Sequence, residues 1–283
     1  MKPYNKLNKQ DKENIIKNYN NGFCIPQVAK KLGVSQRSVP RVLRENNIYT
    51  LRKNRYTLNE DYFEKINTEQ KAYILGFMLA DGYVNNKTNY IVIQLKEDDL
   101  KLLEDIAKAI NYTGEIRYIP PQESRYSNYG CYRLAFSSKK IALDLYRHGL
   151  YKGKSLTINK LPSVPQDLKR HLIRGIFDGD GSIIVTPHTI QKYEPSPTFS
   201  IICTPEIANE IKQYFVEKAK STSGYIKQSK TKELVYLEIR GNHNLLKIYH
   251  ELYDDASIYL KRKYEKFNTI RPLREETLVS KSV

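Results

Sequence analysis

Two stretches of the chain are apolar almost without interruption, and one is an imperfect copy of the other. They are Ala72-Tyr73-Ile74-Leu75-Gly76-Phe77-Met78-Leu79-Ala80-Asp81-Gly82 and Leu172-Ile173-Arg174-Gly175-Ile176-Phe177-Asp178-Gly179-Asp180-Gly181. Each predicts a buried helix, and each has small residues four apart (Gly76 and Ala80; Gly175 and Gly179), which lets a second helix approach backbone to backbone. Gly82 and Gly181 are expected in the left-handed conformation that ends a helix. An Asp at that end lies where helix carbonyls concentrate negative charge. Two such helices side by side would bring Asp81 and Asp180 together, so a positive charge is expected beside them.

After each run the pattern repeats. Tyr90 to Lys96 alternates as a strand, with Ile91, Ile93 and Leu95 on one face. Asp98 to Ile110 has the period of an amphipathic helix, Gly114–Ile119 and Tyr132–Phe136 that of strands, and Lys139 to His148 that of a helix. The second copy gives strands at 182–186 and 198–203, a helix at 205–219, strands at 224–228 and 234–240, and a helix at 244–253. The expected fold class is α+β: tandem αββαββ units at 68–166 and 167–270, related by a pseudo-twofold axis. A small all-α domain precedes them at 1–50. A basic linker at 51–67 and a polar tail at 271–283 complete the division.

Charge is distributed unevenly. The net charge is +16 over 283 residues, and residues 1–59 carry 13 Lys and Arg against 3 Asp and Glu. A polyanionic partner is therefore expected, with much of the attraction at the start of the chain. Cys24, Cys131 and Cys203 are odd in number and widely spaced, which argues against a disulfide framework or a cysteine zinc site. The five histidines lack metal-ligand spacing. No apolar run reaches membrane length and the N-terminus does not read as a signal peptide, which fits a reducing cytoplasm.

Within the basic segment, Ile25 to Val42 resembles the helix-turn-helix of resolvase-type recombinases and many repressors. Ala29 is the small residue where two helices touch, Gly33 takes the turn, and Val39 and Val42 close the core. Ser35 is expected to cap a helix starting at Gln36, with an irregular first turn because Pro40 lacks an N–H. Gln36, Arg37, Arg41 and Arg44 would then offer donors to base edges and phosphates, and Arg52, Lys53 and Arg55 would track a DNA backbone.

The paired apolar runs resemble the signature helix of the LAGLIDADG homing endonucleases, with Ile74–Gly82 and Ile173–Gly181 matching its nine positions. The resemblance implies that Asp81 and Asp180 hold catalytic divalent metal, Mg²⁺ or Mn²⁺, with Ala80 and Gly179 beside them in the metal site. It also implies a lysine near the scissile phosphate in each half, here Lys154 and Lys263, with Lys152, Lys261 and Arg262 as close competitors. Asp178, whose counterpart is Leu79, is expected to support the site rather than bind metal. The polar strand faces would form a saddle on double-stranded DNA, presenting Gln94, Lys96, Arg117, Arg133, Lys227, Glu238 and Arg240, with Tyr132 or Tyr236 against thymine methyls or phosphates. The implied activity is a staggered double-strand break with short 3′ overhangs at a long asymmetric target, made by a monomer without a protein partner. Starting with Met rather than Cys or Ser, the sequence reads as a free-standing or intron-encoded gene rather than an uncut intein. A non-cleaving DNA-binding regulator and an RNA-splicing maturase are the alternatives on the same fold.

Overall fold

A computed structural model describes residues 1–48, 56–85, 87–121, 128–151, 153–185, 197–222, 224–230 and 233–267, with the backbone alone at Ser155. Arg52, Lys53, Arg55, Lys152, Thr186 and the tail after Arg271 lie outside the described residues. The chain divides into two compact units, Met1–Arg55 and Tyr56–Val283.

The first unit contains helices α1 (Lys9–Asn20), α2 (Ile25–Leu32) and α3 (Ser38–Glu45). Asn8 and Asp11 form a reciprocal capping box at the start of α1: the Asn8 side chain accepts from the Asp11 N–H at 2.8 Å, and the Asp11 carboxylate accepts from the Asn8 N–H at 2.9 Å. Gly33 makes the turn after α2 with φ of 64°, where a Cβ would be strained. Ile15, Val28, Ala29, Val39, Val42 and Leu43 form the core. Helix α3 begins at Ser38, two residues later than expected. The missing N–H of Pro40 would have bonded the Gln36 carbonyl, so the regular ladder cannot include that residue. Ser35 still contributes, its Oγ accepting from the Ser38 N–H at 3.3 Å.

The second unit is built from two copies of one plan. The first runs α4 (Glu69–Ala80), β1 (Gly82–Asn85), β2 (Tyr90–Lys96), α5 (Leu100–Ala109), β3 (Arg117–Ile119), β4 (Cys131–Ser137), α6 (Lys139–Arg147) and a single turn, α7 (Lys154–Thr157). The second runs α8 (Lys169–Asp180), β5 (Gly181–Val185), β6 (Pro197–Cys203), α9 (Pro205–Glu217), β7 (Tyr225–Gln228), β8 (Val235–Arg240), α10 (Asn242–Tyr253) and α11 (Lys261–Phe267). The two antiparallel sheets have matching orders, β1-β2-β4-β3 and β5-β6-β8-β7. On each, one face supplies core residues: Ile91, Ile93, Leu134 and Phe136 in the first, Phe199, Ile201, Leu237 and Ile239 in the second. The predicted α+β class and repeat order are therefore observed. The segment 56–67, expected as linker, instead joins this core: Tyr62, Phe63 and Ile66 are buried, and the Asn59 N–H donates to Ile110 O at 2.8 Å.

Helices α4 and α8 pack directly on each other at the centre. A Cβ added to Gly76 would lie 2.0 Å from Leu172 O, and one added to Gly175 would lie 2.1 Å from Tyr73 O. Only hydrogen at these positions permits such an approach. Gly82 and Gly181 differ from expectation, since neither takes a left-handed conformation. Each opens a strand directly after its helix. Glycine is required there because a Cβ would meet Met78 O at 2.6 Å or the Phe177 ring at 2.1 Å. Among the described residues, no helix is long and apolar enough to cross a membrane.

Candidate active site

The site is assembled where the two central helices stop. Asp81 caps α4 and Asp180 is the last residue of α8, so the packing of Gly76 and Gly175 brings both carboxylates to one end of the helix pair. Water reaches both side chains, yet the surrounding protein strips part of their hydration. Asp180 is pushed up to about 6, first by that loss and then by the charge of Asp81, against the attraction of Lys154 and Lys263. Asp81 is raised by lost hydration too, opposed by Lys263, Lys154 and Arg262.

The positive charge expected at these helix ends comes from Lys154 and Lys263, both buried. Each lysine reaches back to its own helix. The Lys154 ammonium donates to Ala80 O at 3.1 Å. The Lys263 ammonium donates to Phe177 O at 2.8 Å, Gly179 O at 2.9 Å and Gly181 O at 2.5 Å, which uses all three of its N–H groups. Burial lowers both lysines, Lys263 down to about 8, with the nearby aspartates opposing the shift. Of their competitors, Lys261 and Arg262 are among the described residues, and each has an acidic partner of its own. Lys261 is exposed near Glu265, and the Arg262 guanidinium holds the buried Asp99 carboxylate at 3.0 Å.

The four predicted groups thus gather at one place, as a quartet of two carboxylates and two ammoniums. The carbonyls of Ala80 and Gly179, expected in a metal site, accept from these lysines. Among the described residues no group of three or more His, Cys, Asp or Glu is placed to hold a metal ion. The oxygen donors are therefore two carboxylates and two carbonyls. Such a set fits a hard divalent cation that keeps several waters and also takes substrate oxygens, and does not fit a closed structural metal site.

Asp178 is fully buried, and its charge acts on Lys263 from behind the two exposed carboxylates. Its carboxylate accepts from Tyr73 Oη at 2.7 Å, Tyr253 Oη at 2.6 Å and the Leu260 N–H at 2.7 Å. Arg174 has no exposed surface and donates to Leu252 O at 2.7 Å, Ile258 O at 3.1 Å and Glu69 Oε1 at 2.6 Å. The roles of Arg174, Glu69, Tyr73 and Tyr253 escaped sequence reasoning. The available signal was a charged residue, Arg174, in an apolar run whose copy has Leu75.

The sheet faces opposite the core carry the polar strand residues. Register places Gln94, Arg133 and Arg117 in one row across β2, β4 and β3, and the Arg133 guanidinium donates to Gln94 Oε1 at 2.7 Å. Lys96 is exposed at the end of β2. In the second sheet Lys227 faces Tyr236, and Glu238 accepts from the exposed Arg240 at 2.7 Å. Tyr132 departs from expectation. It shares the face of Leu134 and Phe136 and lies against Tyr118, ring centroids 5.1 Å apart, so it packs on the helix side. In the first unit Gln36, Arg37, Arg41 and Arg44 are exposed; the Arg41 guanidinium lies 3.9 Å over the Tyr4 ring and close to Glu45.

Residues 68–148 match the family model for a LAGLIDADG-like domain. An uncharacterized protein of Methanocaldococcus jannaschii is 30% identical over 154 residues, covering 52% of this chain and 55% of that protein. The chain thus spans about half the length of that relative. Among solved structures, the I-LtrWI LAGLIDADG homing endonuclease bound to target DNA is 16% identical with a TM-score of 0.48, over 77% of this chain and 92% of that one. The meganuclease I-SmaMI bound to uncleaveable DNA is 12% identical with a TM-score of 0.49, over 73% and 91%. The LAGLIDADG homing endonuclease I-GzeII in complex with its DNA target is 17% identical with a TM-score of 0.47, over 75% and 91%.

Proposed function

We propose that the protein is a site-specific, metal-dependent endonuclease of double-stranded DNA, of the LAGLIDADG homing type, acting as a monomer and leaving short 3′ overhangs. The observation that carries this reading is the quartet at the helix ends: Asp81, Asp180, Lys154 and Lys263, drawn from both copies of the repeat. In a purely structural helix pair, two acidic side chains at adjacent carboxyl ends repel each other and the helix carbonyls. Such an arrangement is useful when a cation and a polyanion are brought to it.

In this reading Asp81 and Asp180 hold Mg²⁺ or Mn²⁺ together with backbone carbonyls at Ala80 and Gly179. A hard divalent cation held there would supply Lewis-acid polarisation of the scissile phosphate and a more acidic water for the attack. The carboxylates contribute the negative charge that selects a hard cation. Lys154 and Lys263 neutralise the helix ends and present positive charge where the phosphate gains negative charge. In this reading Gln94, Lys96, Arg117, Arg133, Lys227 and Arg240 on the open sheet faces would meet the duplex, where Arg and Gln suit guanine and adenine edges. The first unit contributes a helix-turn-helix, with Gln36, Arg37, Arg41 and Arg44 toward DNA.

The test is selection of cleaved sites from a randomised duplex library with Mg²⁺ present, followed by sequencing of the cut ends. Recovery of one extended, non-palindromic site with short 3′ overhangs is expected. Binding of a discrete site without any cut ends would instead mark a DNA-binding regulator. Affinity for RNA in preference to duplex DNA would mark a maturase.

Deleting residues 1–55 is expected to reduce affinity and flatten the dependence of log K on log salt. The basic excess there implies several phosphate contacts, each worth a slope of roughly 0.9. Fluorescence anisotropy across a salt series measures the slope. An unchanged slope would assign this unit to another partner.

A further inference from the structure

The two halves hold their lysines differently. In the second half, Lys263 sits on α11, a turn from the helix start at Leu260. That start is fixed to α8, because the Leu260 N–H donates to the Asp178 carboxylate at 2.7 Å. The connection before it is fixed as well. Arg174 takes the carbonyls of Leu252 and Ile258, and Glu69 accepts from the Ser257 N–H at 2.8 Å. Tyr253 Oη donates to the same Asp178. Arg174, Asp178, Tyr73 and Tyr253 are buried and each side chain has its hydrogen-bond partner, which restrains them together.

In the first half the corresponding positions are apolar. Leu75 stands for Arg174 and Leu79 for Asp178. Lys154 lies on a single helical turn entered through Gly153 at φ of 86°. Among the described residues, its ammonium meets one carbonyl where Lys263 meets three.

We propose that Arg174 and Asp178 form a latch that positions Lys263, so that the second half of the active centre is preorganised, the first half is not, and the strand served by Lys263 is cut first. Arg174 and Asp178 are positioning residues in this account, which rests on the endonuclease reading. A reacting group displaced by about 1 Å can lose roughly 10²-fold in rate.

The experiment follows each strand separately on an end-labelled duplex of the selected site, in single turnover with Mg²⁺. Lys263→Met first identifies the strand that depends on Lys263. Asp178→Asn keeps the shape of the side chain but puts an amide donor among hydroxyl and N–H donors; Arg174→Met keeps the length and removes the fork. Each is expected to slow the Lys263-dependent strand by about 10-fold or more, with the other strand and the dissociation constant within about 2-fold. In the parent, nicked product should accumulate before linear product, with its nick in that same strand. Equal slowing of both strands, or none in a folded variant, overturns the latch. Should both variants fail to fold, hydrogen exchange of the parent decides. Segment 254–267 must exchange more slowly than 153–158, and the reverse order overturns the proposal. A parent that binds DNA but never cuts defeats the endonuclease reading alone, and the exchange comparison then still decides the latch.

Discussion

Asparagine at position 81 or 180 is expected to lower double-strand cleavage by about 10²–10³-fold or more while leaving the protein folded and bound to its site. The substitution preserves the size of the side chain and removes the charge that a hard cation requires. Binding without metal is expected to hold or tighten, because a negative charge facing the phosphates is lost. Stability is expected to hold or rise, which separates this outcome from a folding defect. Asp180 is pushed up to about 6, above the usual carboxylate value near 3.9. A carboxyl raised in the folded state favours folding while protonated, so stability is lost as pH climbs from about 4 through about 6. Asp180→Asn removes that penalty, and the gain over the parent should be larger at pH 7.5 than at pH 4. Solvent reaches the carboxylate, so screening reduces the gain. Supercoiled, nicked and linear plasmid counted over time, with melting at both pH values, provides the measurement. Undiminished linear product from both single variants would remove the aspartates from the chemistry.

A leucine at Gly76 or Gly175 is expected to cost stability at the upper end of overpacking, about 3 kcal/mol. The obstacle is main chain. A Cβ at 2.0 Å from Leu172 O or 2.1 Å from Tyr73 O cannot be accommodated by rotating a side chain. The helices must separate, and Asp81 and Asp180 must separate with them. For a unit of this size the cost corresponds to a melting point lower by roughly 6–12 °C. Cleavage should fall with it, even at temperatures where the variant remains folded. Calorimetry and plasmid cleavage on the same samples test both statements. A leucine variant that melts with the parent would contradict the close approach of α4 and α8.

The parts of this molecule legible in the sequence are those governed by period and small size. Alternation located the strands, and glycine or alanine four residues apart located the central contact, because backbone approach admits few other residues. The two aspartates stood out because charge at a helix carboxyl end is unfavourable without a partner. What stayed hidden depends on long-range packing. Tyr62, Phe63 and Ile66 lie in a segment without periodicity, so their burial against the first repeat left no mark. Gly82 and Gly181 have the sequence signature of helix stops, whereas the side chains and carbonyls of Met78 and Phe177 require them. Lys263 resembles any surface lysine until α11 brings it beneath α8. Asp178 could be excluded from the metal position by its spacing, but its partner at Leu260 lies 82 residues away.

Each central helix passes into its sheet with almost no intervening chain: only Asp81 separates α4 from β1, and α8 is followed at once by β5. Slack is therefore absent between the cutting centre and the surfaces proposed to read the duplex. The two sheets are joined through the packed helix pair, and each begins at the helix end that carries its aspartate. The distance between the two half-sites of a target is then set by the protein's geometry rather than by its strand residues. Exchanging residues on the open faces would change which bases are read, whereas the number of base pairs between the half-sites would stay the same.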